Sequence, residues 1–344
     1  MNILIAGANG FVGSALIPKL LEEGHKITAL ARKIDPSMKK EGVTWIEGDL
    51  LNPSSLPKIG KIDKAFYLVH GLKESHGNFE YYESLAAVNF LNWIRTHVAG
   101  IVYLGALVPE GVTLSPHLRS RELSGSILAA SGLPVLEFRA SIILGEGSLS
   151  FEMIKALSER FPIRPEMNLL SQTCQPLALN DLLKYLVAAV DYIHVGHKIL
   201  EVGGPDVASY GDLLDIYSEL AGLKRKRIKI PEVELKVLLK LLEYAIPEHA
   251  EVGKKLTESM EHSTVLNNDA AKKVFPKIRP KSIRVAMDLA RTNSTTHYPP
   301  VWEKDFLKSL LSDKLLVQSG FLSPDFLKNI EKITKLRDML SRSK

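Results

Sequence analysis

The chain has 344 residues, 45% of them hydrophobic and 24% charged, which is an ordinary globular composition with ample material for a core. Its net charge of +5 is modest for that length and requires neither a nucleic-acid nor a membrane partner, so no nucleic-acid partner is expected. A single cysteine, Cys174, excludes an intrachain disulfide and a multi-cysteine metal site, and fits a reducing compartment. The ten histidines show no metal-ligand spacing, and no metal is expected. No apolar stretch approaches the roughly 20 residues of a transmembrane helix. A strand beginning at residue 2 leaves no room for a signal or transit peptide, so the expected compartment is the cytoplasm.

The opening run Met1-Asn2-Ile3-Leu4-Ile5-Ala6 has the length of a fully buried parallel strand. Gly7-Ala8-Asn9-Gly10-Phe11-Val12-Gly13 follows at once, and apolar residues then recur at Phe11, Ala15, Leu16 and Leu20, as on a helix face. Free N–H groups at such a helix start, together with the helix dipole, make a pyrophosphate site. The spacing is GxxGxxG, and its place between a strand and a helix gives it weight that glycines alone lack.

Further strands are expected at Lys26–Ala31, Thr44–Glu47, Lys64–Val69, Ile101–Leu104 and Pro134–Phe138, with helices at Tyr81–His97 and Pro116–Ala130. This β-α alternation predicts an α/β, Rossmann-type doubly wound parallel sheet with right-handed crossovers. Beyond Gly145 the pattern loosens into helices near 151–160, 177–190, 210–221 and 233–245, with one strand near 198–203 that returns to the sheet. The expected organisation is a nucleotide-binding domain over 1–150, a smaller, mostly helical C-terminal lobe over 151–300, and a helical extension over 301–344. In that extension Ser323-Pro324 reads as N-cap and N1 of a last helix. Lys224-Arg225-Lys226-Arg227 reads as a solvated turn before a strand.

These elements resemble the short-chain dehydrogenase/reductase superfamily in its atypical, NmrA-like branch, over residues 1 to about 230. The resemblance rests on the glycine segment, on Gly48-Asp49-Leu50, on Asn89 within Val88-Asn89-Phe90, on Glu137-Phe138-Arg139-Ala140, and on Val202-Gly203-Gly204-Pro205 before Ser209-Tyr210. His117-Leu118-Arg119-Ser120-Arg121 and Leu133 to Gly147 look particularly like a bacterial subgroup of NAD(P)-binding, YbjT-like proteins. The resemblance implies that Gly7, Asn9, Gly10, Phe11, Val12 and Gly13 form the pyrophosphate turn. It implies that Asp49 and Leu50 flank the adenine, although Asp49 also reads as a plain turn carboxylate before Asn52-Pro53. It sets His70 at the sheet edge where ribose and nicotinamide pass, where a loop cap is the other reading. Arg139 approaches the nicotinamide end, or pairs with Glu137 or with a carboxylate of the C-terminal lobe. Asn89 supports the sheet edge or simply packs. Cys174, in a loop before Gln175-Pro176, reads as structural.

The superfamily's usual chemistry needs a serine, and a tyrosine with a lysine four residues on. Here the strand end reads Tyr103-Leu104-Gly105-Ala106 without a hydroxyl at its last positions, and the helix carries His117 and Arg121 where tyrosine and lysine are expected. One reading is a weak oxidoreductase on a small carbonyl or quinone, with His117 as general acid and Arg121 on the cofactor ribose. A second is a non-enzymatic NADP(H)-dependent sensor, regulator or assembly factor. A third uses unrelated groups such as Tyr67, Tyr103 or His70, the two tyrosines otherwise being strand packing. In each reading a nicotinamide dinucleotide is the ligand, and the small-molecule substrate or protein partner is open.

An NAD site usually places a carboxylate about 20 residues after the glycines, to accept from the ribose 2′-OH. The second strand here ends Leu30-Ala31-Arg32-Lys33, with no carboxylate before Asp35. A guanidinium binds a 2′-phosphate through charge-assisted hydrogen bonds, so Arg32, helped by Lys33, favours NADP(H) over NAD(H). Arg32→Ala is accordingly expected to weaken NADPH far more than NADH in a fluorescence titration. Equal losses for both would refute the assignment.

Overall fold

Unbroken apolar strands need cover on both faces, and the chain supplies it with helices on either side of one parallel sheet. The fold is seen in a computed structural model that describes residues 1–34, 41–71, 78–161, 163–229, 239, 242, 245–247, 250–296 and 298. Seven strands make the sheet: β1 Asn2–Ala6, β2 Lys26–Ala31, β3 Val43–Glu47, β4 Lys64–Tyr67, β5 Ile101–Ala106, β6 Val135–Ala140 and β7 His197–Val202. They lie in the order β7-β6-β5-β4-β1-β2-β3, every pair parallel. This is the expected Rossmann-type, doubly wound arrangement. Its order reverses between β1 and β4, and ligands of such sheets bind outside the carboxyl ends of the strands at that point.

The two-residue period of β1 divides the core. Ile3 and Ile5 face one layer with Leu16 and Leu20 of α1 (Phe11–Glu22) and Leu182 and Leu186 of α5 (Leu179–Asp191). Leu4 and Ala6 face the other, with Phe90 and Ile94 of α2 (Phe79–Ile94) and Leu128 of α3 (Pro116–Ala129). A third cluster holds α4 (Leu149–Arg160), α6 (Tyr210–Leu220) and α8 (Ile283–Asn293) around Phe151, Tyr217 and Met287. Helix α7 (Ala250–Glu258) completes that side and runs into a single turn, Ser259–Glu261.

Local chemistry sets the helix starts. Ser115 caps α3 by accepting from the Leu118 N–H, and Pro116 occupies the first turn, where its missing donor costs nothing. Ser209 and Asp212 form a reciprocal capping box on α6. Asn78 caps α2, which therefore begins two residues before the Tyr81 read from sequence. Cys174 is not in a loop: Thr173–Cys174 pairs antiparallel with Ala208–Ser209, and the buried thiol donates to the Ala208 carbonyl at 3.4 Å. A two-residue strand is too short to show a period. Apart from residues 239, 242 and 245, the expected 233–245 helix lies outside the described residues, as do the 301–344 extension and Ser323-Pro324. Among the described residues no helix is long and apolar enough to cross a membrane.

The turn after β1 positions the site. Gly7 has φ +84°, a conformation side chains rarely adopt, and a Cβ there would lie 2.7 Å from the Leu68 carbonyl carbon. Gly10 has an ordinary φ of −77°. Gly7→Ala is therefore expected to destabilise the protein by more than ~1–3 kcal/mol, and Gly10→Ala by clearly less, in thermal denaturation. Equal midpoints for the two variants would contradict this account of the turn.

Candidate functional site

At the carboxyl edge of β1 the Gly10 N–H donates to the Gly7 carbonyl at 3.0 Å, closing the turn into α1. A Cβ on Gly13 would come within 2.2 Å of that same carbonyl oxygen. No side chain caps the first turn of α1 and no acidic residue sits in it. The helix start thus offers N–H groups and a positive dipole end to an anion, in a cradle that added side chains would fill. These residues fit a pyrophosphate. Asn9, Phe11 and Val12 lie on the same turn and first helical residues.

Two neighbouring strand ends extend the cradle. Arg32 and Lys33 are exposed just past the end of β2, whose pairing with β1 ends at Ala6 opposite Leu30. Gly48 follows β3, and its N–H donates to the Ala31 carbonyl at 3.0 Å, so Asp49 and Leu50 lie beside Arg32 along the edge. One Asp49 oxygen accepts from the Leu51 N–H at 2.9 Å, which is the turn role. Leu50 is buried, and its carbonyl accepts from Asn89 Nδ2 at 2.6 Å. Asn89 therefore ties α2 to this loop.

Past β4 the edge changes character. His70 Nδ1 lies 3.0 Å from Glu83 Oε1, and its Nε2 lies 3.1 Å from His117 Nε2. His117 Nδ1 in turn lies 2.9 Å from the Ser259 hydroxyl, which is 2.9 Å from that of Ser115. The Arg121 guanidinium donates to the Val69 carbonyl at 2.9 Å, to the Leu104 carbonyl and to Glu83 Oε2 at 3.4 Å. It also lies 5.0 Å over the Tyr103 ring, whose hydroxyl donates to the Arg121 carbonyl. Arg121, expected on the cofactor ribose, is thus buried and closes the ends of β4 and β5. Arg139 pairs with the buried Glu137 at 2.6 Å, one of its three sequence readings, while His197 takes that carboxylate's other oxygen at 2.8 Å. Tyr67 and Tyr103 are fully buried packing residues.

Burial alone would raise the Glu83 pKa, but Arg121 and then His70 hold it far below the usual carboxylate range. Burial, together with His70 and Arg121, pushes the His117 pKa well below that of a free imidazole. His70 is lowered by its surroundings and by Arg121, against the pull of Glu83. Both rings are therefore neutral near pH 7, and Glu83 is a carboxylate.

His117 and Ser259 open onto a chamber at the carboxyl ends of β5 and β6, with about 840 Å³ of empty space, solvent at its mouth included. Ile142, Met153, Leu157, Leu170, Leu214 and Met260 make much of its wall. Among the described residues no lysine, arginine, aspartate or glutamate lines it, and no group of three or more metal-ligating side chains exists. Sequence reasoning found His70 and His117 but missed Glu83 and Ser259. Glu83 had a signal: it falls on the buried stripe of α2 with Phe79, Ala86, Ala87 and Phe90. Ser259 had none, being 142 residues from its partner.

Comparison with known proteins agrees with this architecture. Residues 3–103 match the family model of the NAD dependent epimerase/dehydratase family. A 2-alkyl-3-oxoalkanoate reductase of Stenotrophomonas maltophilia is 34% identical over 187 residues, 46% of this chain and 56% of that protein. The chain thus aligns with little more than half of that relative's length. A ceramide reductase of Caulobacter vibrioides is 23% identical over 234 residues, 67% of this chain and 74% of that protein. The UDP-glucuronic acid 4-epimerase of Bacillus cereus, solved with UDP-glucuronic acid and NAD, superposes with a TM-score of 0.64 at 16% identity, over 90% of this chain and 100% of that one. The fold is Rossmann-like.

Removing Glu83 leaves Arg121 buried without its carboxylate. Glu83→Ala is expected to cost about 3–5 kcal/mol in thermal or denaturant unfolding at neutral pH. Because the folded-state pKa is depressed, this stabilisation is present above the unfolded value of about 4.3 and is lost as pH falls through the folded one. The gap between wild type and variant should therefore narrow below about pH 4. A gap that stayed constant into acid would contradict the assignment.

Proposed function

We propose that the protein is an NADP(H)-dependent reductase, of the atypical NmrA-like kind, that acts on a carbonyl carried by an apolar chain. The observation that carries this reading is the position of His117 on the wall of a largely apolar chamber, free of charged side chains among the described residues, at the carboxyl edge of the sheet. On this reading Gly7, Asn9, Gly10, Phe11, Val12 and Gly13 hold the pyrophosphate, and Arg32 with Lys33 meets a 2′-phosphate. Asp49 and Leu50 flank the adenine, and His70 marks the nicotinamide end. The bound cofactor supplies a hydride. Arg121 is a positioning residue that fixes the strand ends and Glu83, and Arg139 holds β6 through Glu137.

The superfamily's tyrosine supplies a proton to the substrate oxygen, and the chain's replacement is the His117 network. A positioned donor of this kind contributes a factor of about 100 to 10,000. The chamber favours an aliphatic substrate over a sugar nucleotide. Desolvating a diphosphate needs cationic partners, and the described chamber wall contains none. Each buried methylene of an alkyl chain gains ~0.8 kcal/mol instead. The names of the two curated relatives, an alkyl-oxoalkanoate reductase and a ceramide reductase, point to the same substrate class.

The test is NADPH oxidation by the full chain with methyl ketones and β-keto acids of increasing chain length, a quinone and UDP-glucose. Catalytic efficiency is expected to rise about fourfold per added methylene, from ~0.8 kcal/mol each, until the chamber is full. Leu214→Trp, which fills the chamber, should abolish the longer-chain activity without changing NADPH affinity. Tight NADPH binding with no turnover on any member of the panel would instead make the protein a nucleotide-dependent sensor.

A further inference from the structure

The protonation of His70 and of the buried His117 follows from what surrounds them. Glu83, a carboxylate, only accepts, so His70 Nδ1 carries a proton toward it, and the Gly71 N–H donates to the same oxygen. Between two Nε2 atoms 3.1 Å apart there is room for one proton. With His70 neutral, that proton belongs to His117. His117 Nδ1 is then bare and accepts from the Ser259 hydroxyl at 2.9 Å, a shorter contact than the 3.2 Å from that hydroxyl to the Lys255 carbonyl, the other acceptor in its reach. Ser115 donates to Ser259 in turn, at 2.9 Å. Every donor in this chain points from the chamber toward Glu83.

We propose that Ser259, His117 and His70 form a proton wire between the chamber and Glu83, in which Ser259 meets the substrate oxygen and the His70–Glu83 pair stores the proton. The proposal rests on the reductase reading above. In the loaded wire the pair holds one extra proton, so each bond is reversed as far as His70. As the carbonyl is reduced, the Ser259 hydroxyl proton passes to the substrate oxygen and His117 Nδ1–H refills Ser259. The proton between the Nε2 atoms moves from His70 to His117. His70 is left neutral, still donating to Glu83, and one proton from solvent reloads the wire.

Three elements face the two rings with charge. Glu83 of α2 favours the loaded state, whereas Arg121 of α3 and Lys255 of α7 oppose it. Lys255 sits 4.9 Å over the Phe79 ring, close to both histidines. Loading is therefore expected below the ordinary histidine pKa of about 6.5. Because the rings share a proton, they titrate as a pair rather than singly.

The experiment is a pH titration of the full-length protein carrying isotope-labelled histidine, followed by NMR, with ketone turnover measured alongside. His70 and His117 should shift together at one midpoint below about 6.5, with His117 protonated on Nε2 alone at neutral pH. Ser259→Ala should lower kcat about 100-fold with NADPH affinity intact, and Ser259→Thr, which keeps the hydroxyl, should retain most of it. Independent midpoints for the two rings, a His117 protonated on Nδ1 at neutral pH, or wild-type kcat in Ser259→Ala would each overturn the wire. Absence of turnover in wild type would sink the reductase reading separately, leaving the wire to stand or fall on the shared titration.

Discussion

A carboxylate buried at the end of a parallel sheet persists only if paired and hydrogen-bonded, and Glu83 meets that condition from three directions. Arg121 reaches it from α3, His70 from the end of β4, and a backbone N–H from the residue after. Each partner is fixed in turn: Arg121 by the carbonyls at the ends of β4 and β5, His70 by His117. One buried charge thus orders the strand ends, two helices and both imidazoles. The chamber wall inherits that order through His117 and Ser259, which line it together with Ser141, Ser150, Tyr210 and Thr264.

The site divides into halves with different electrostatics. On the β1–β2–β3 side lie an open helix N-terminus and exposed cations, suited to phosphate. On the β5–β6 side lies a chamber whose described wall is largely apolar and uncharged, with the neutral His117 imidazole at one end. The reversal of strand order between β1 and β4 sets these halves next to each other. A molecule anchored by its phosphates in one half and extending into the other would meet the histidine network.

The sheet was legible because its signals are local. Apolar runs of strand length alternate with helical periods, and the first glycines mark the turn from β1 into α1 where the sequence places it. The glycine cradle and the cations after β2 were legible for the same reason. Boundaries moved where a cap lay outside the apolar pattern, as Asn78 did for α2. The site's chemistry was only half legible. His117 showed itself by standing where a tyrosine was expected, and His70 by following a strand. Ser259 arrives from α7 across 142 residues and joins them by tertiary packing alone. Arg121 looked like a cofactor ligand by its spacing from His117, yet the i+4 position on α3 turns it into the sheet edge.

On the proposed function this chamber receives a carbonyl beside a nicotinamide. Label transfer tests it most directly: the full chain is incubated with NADPH deuterated at the transferable position and a long-chain β-keto acid, and the product is analysed by mass spectrometry. One deuterium is expected on the new carbinol carbon, and no transfer in the His117→Phe protein. Cofactor bound by the protein with no label in any product would contradict it.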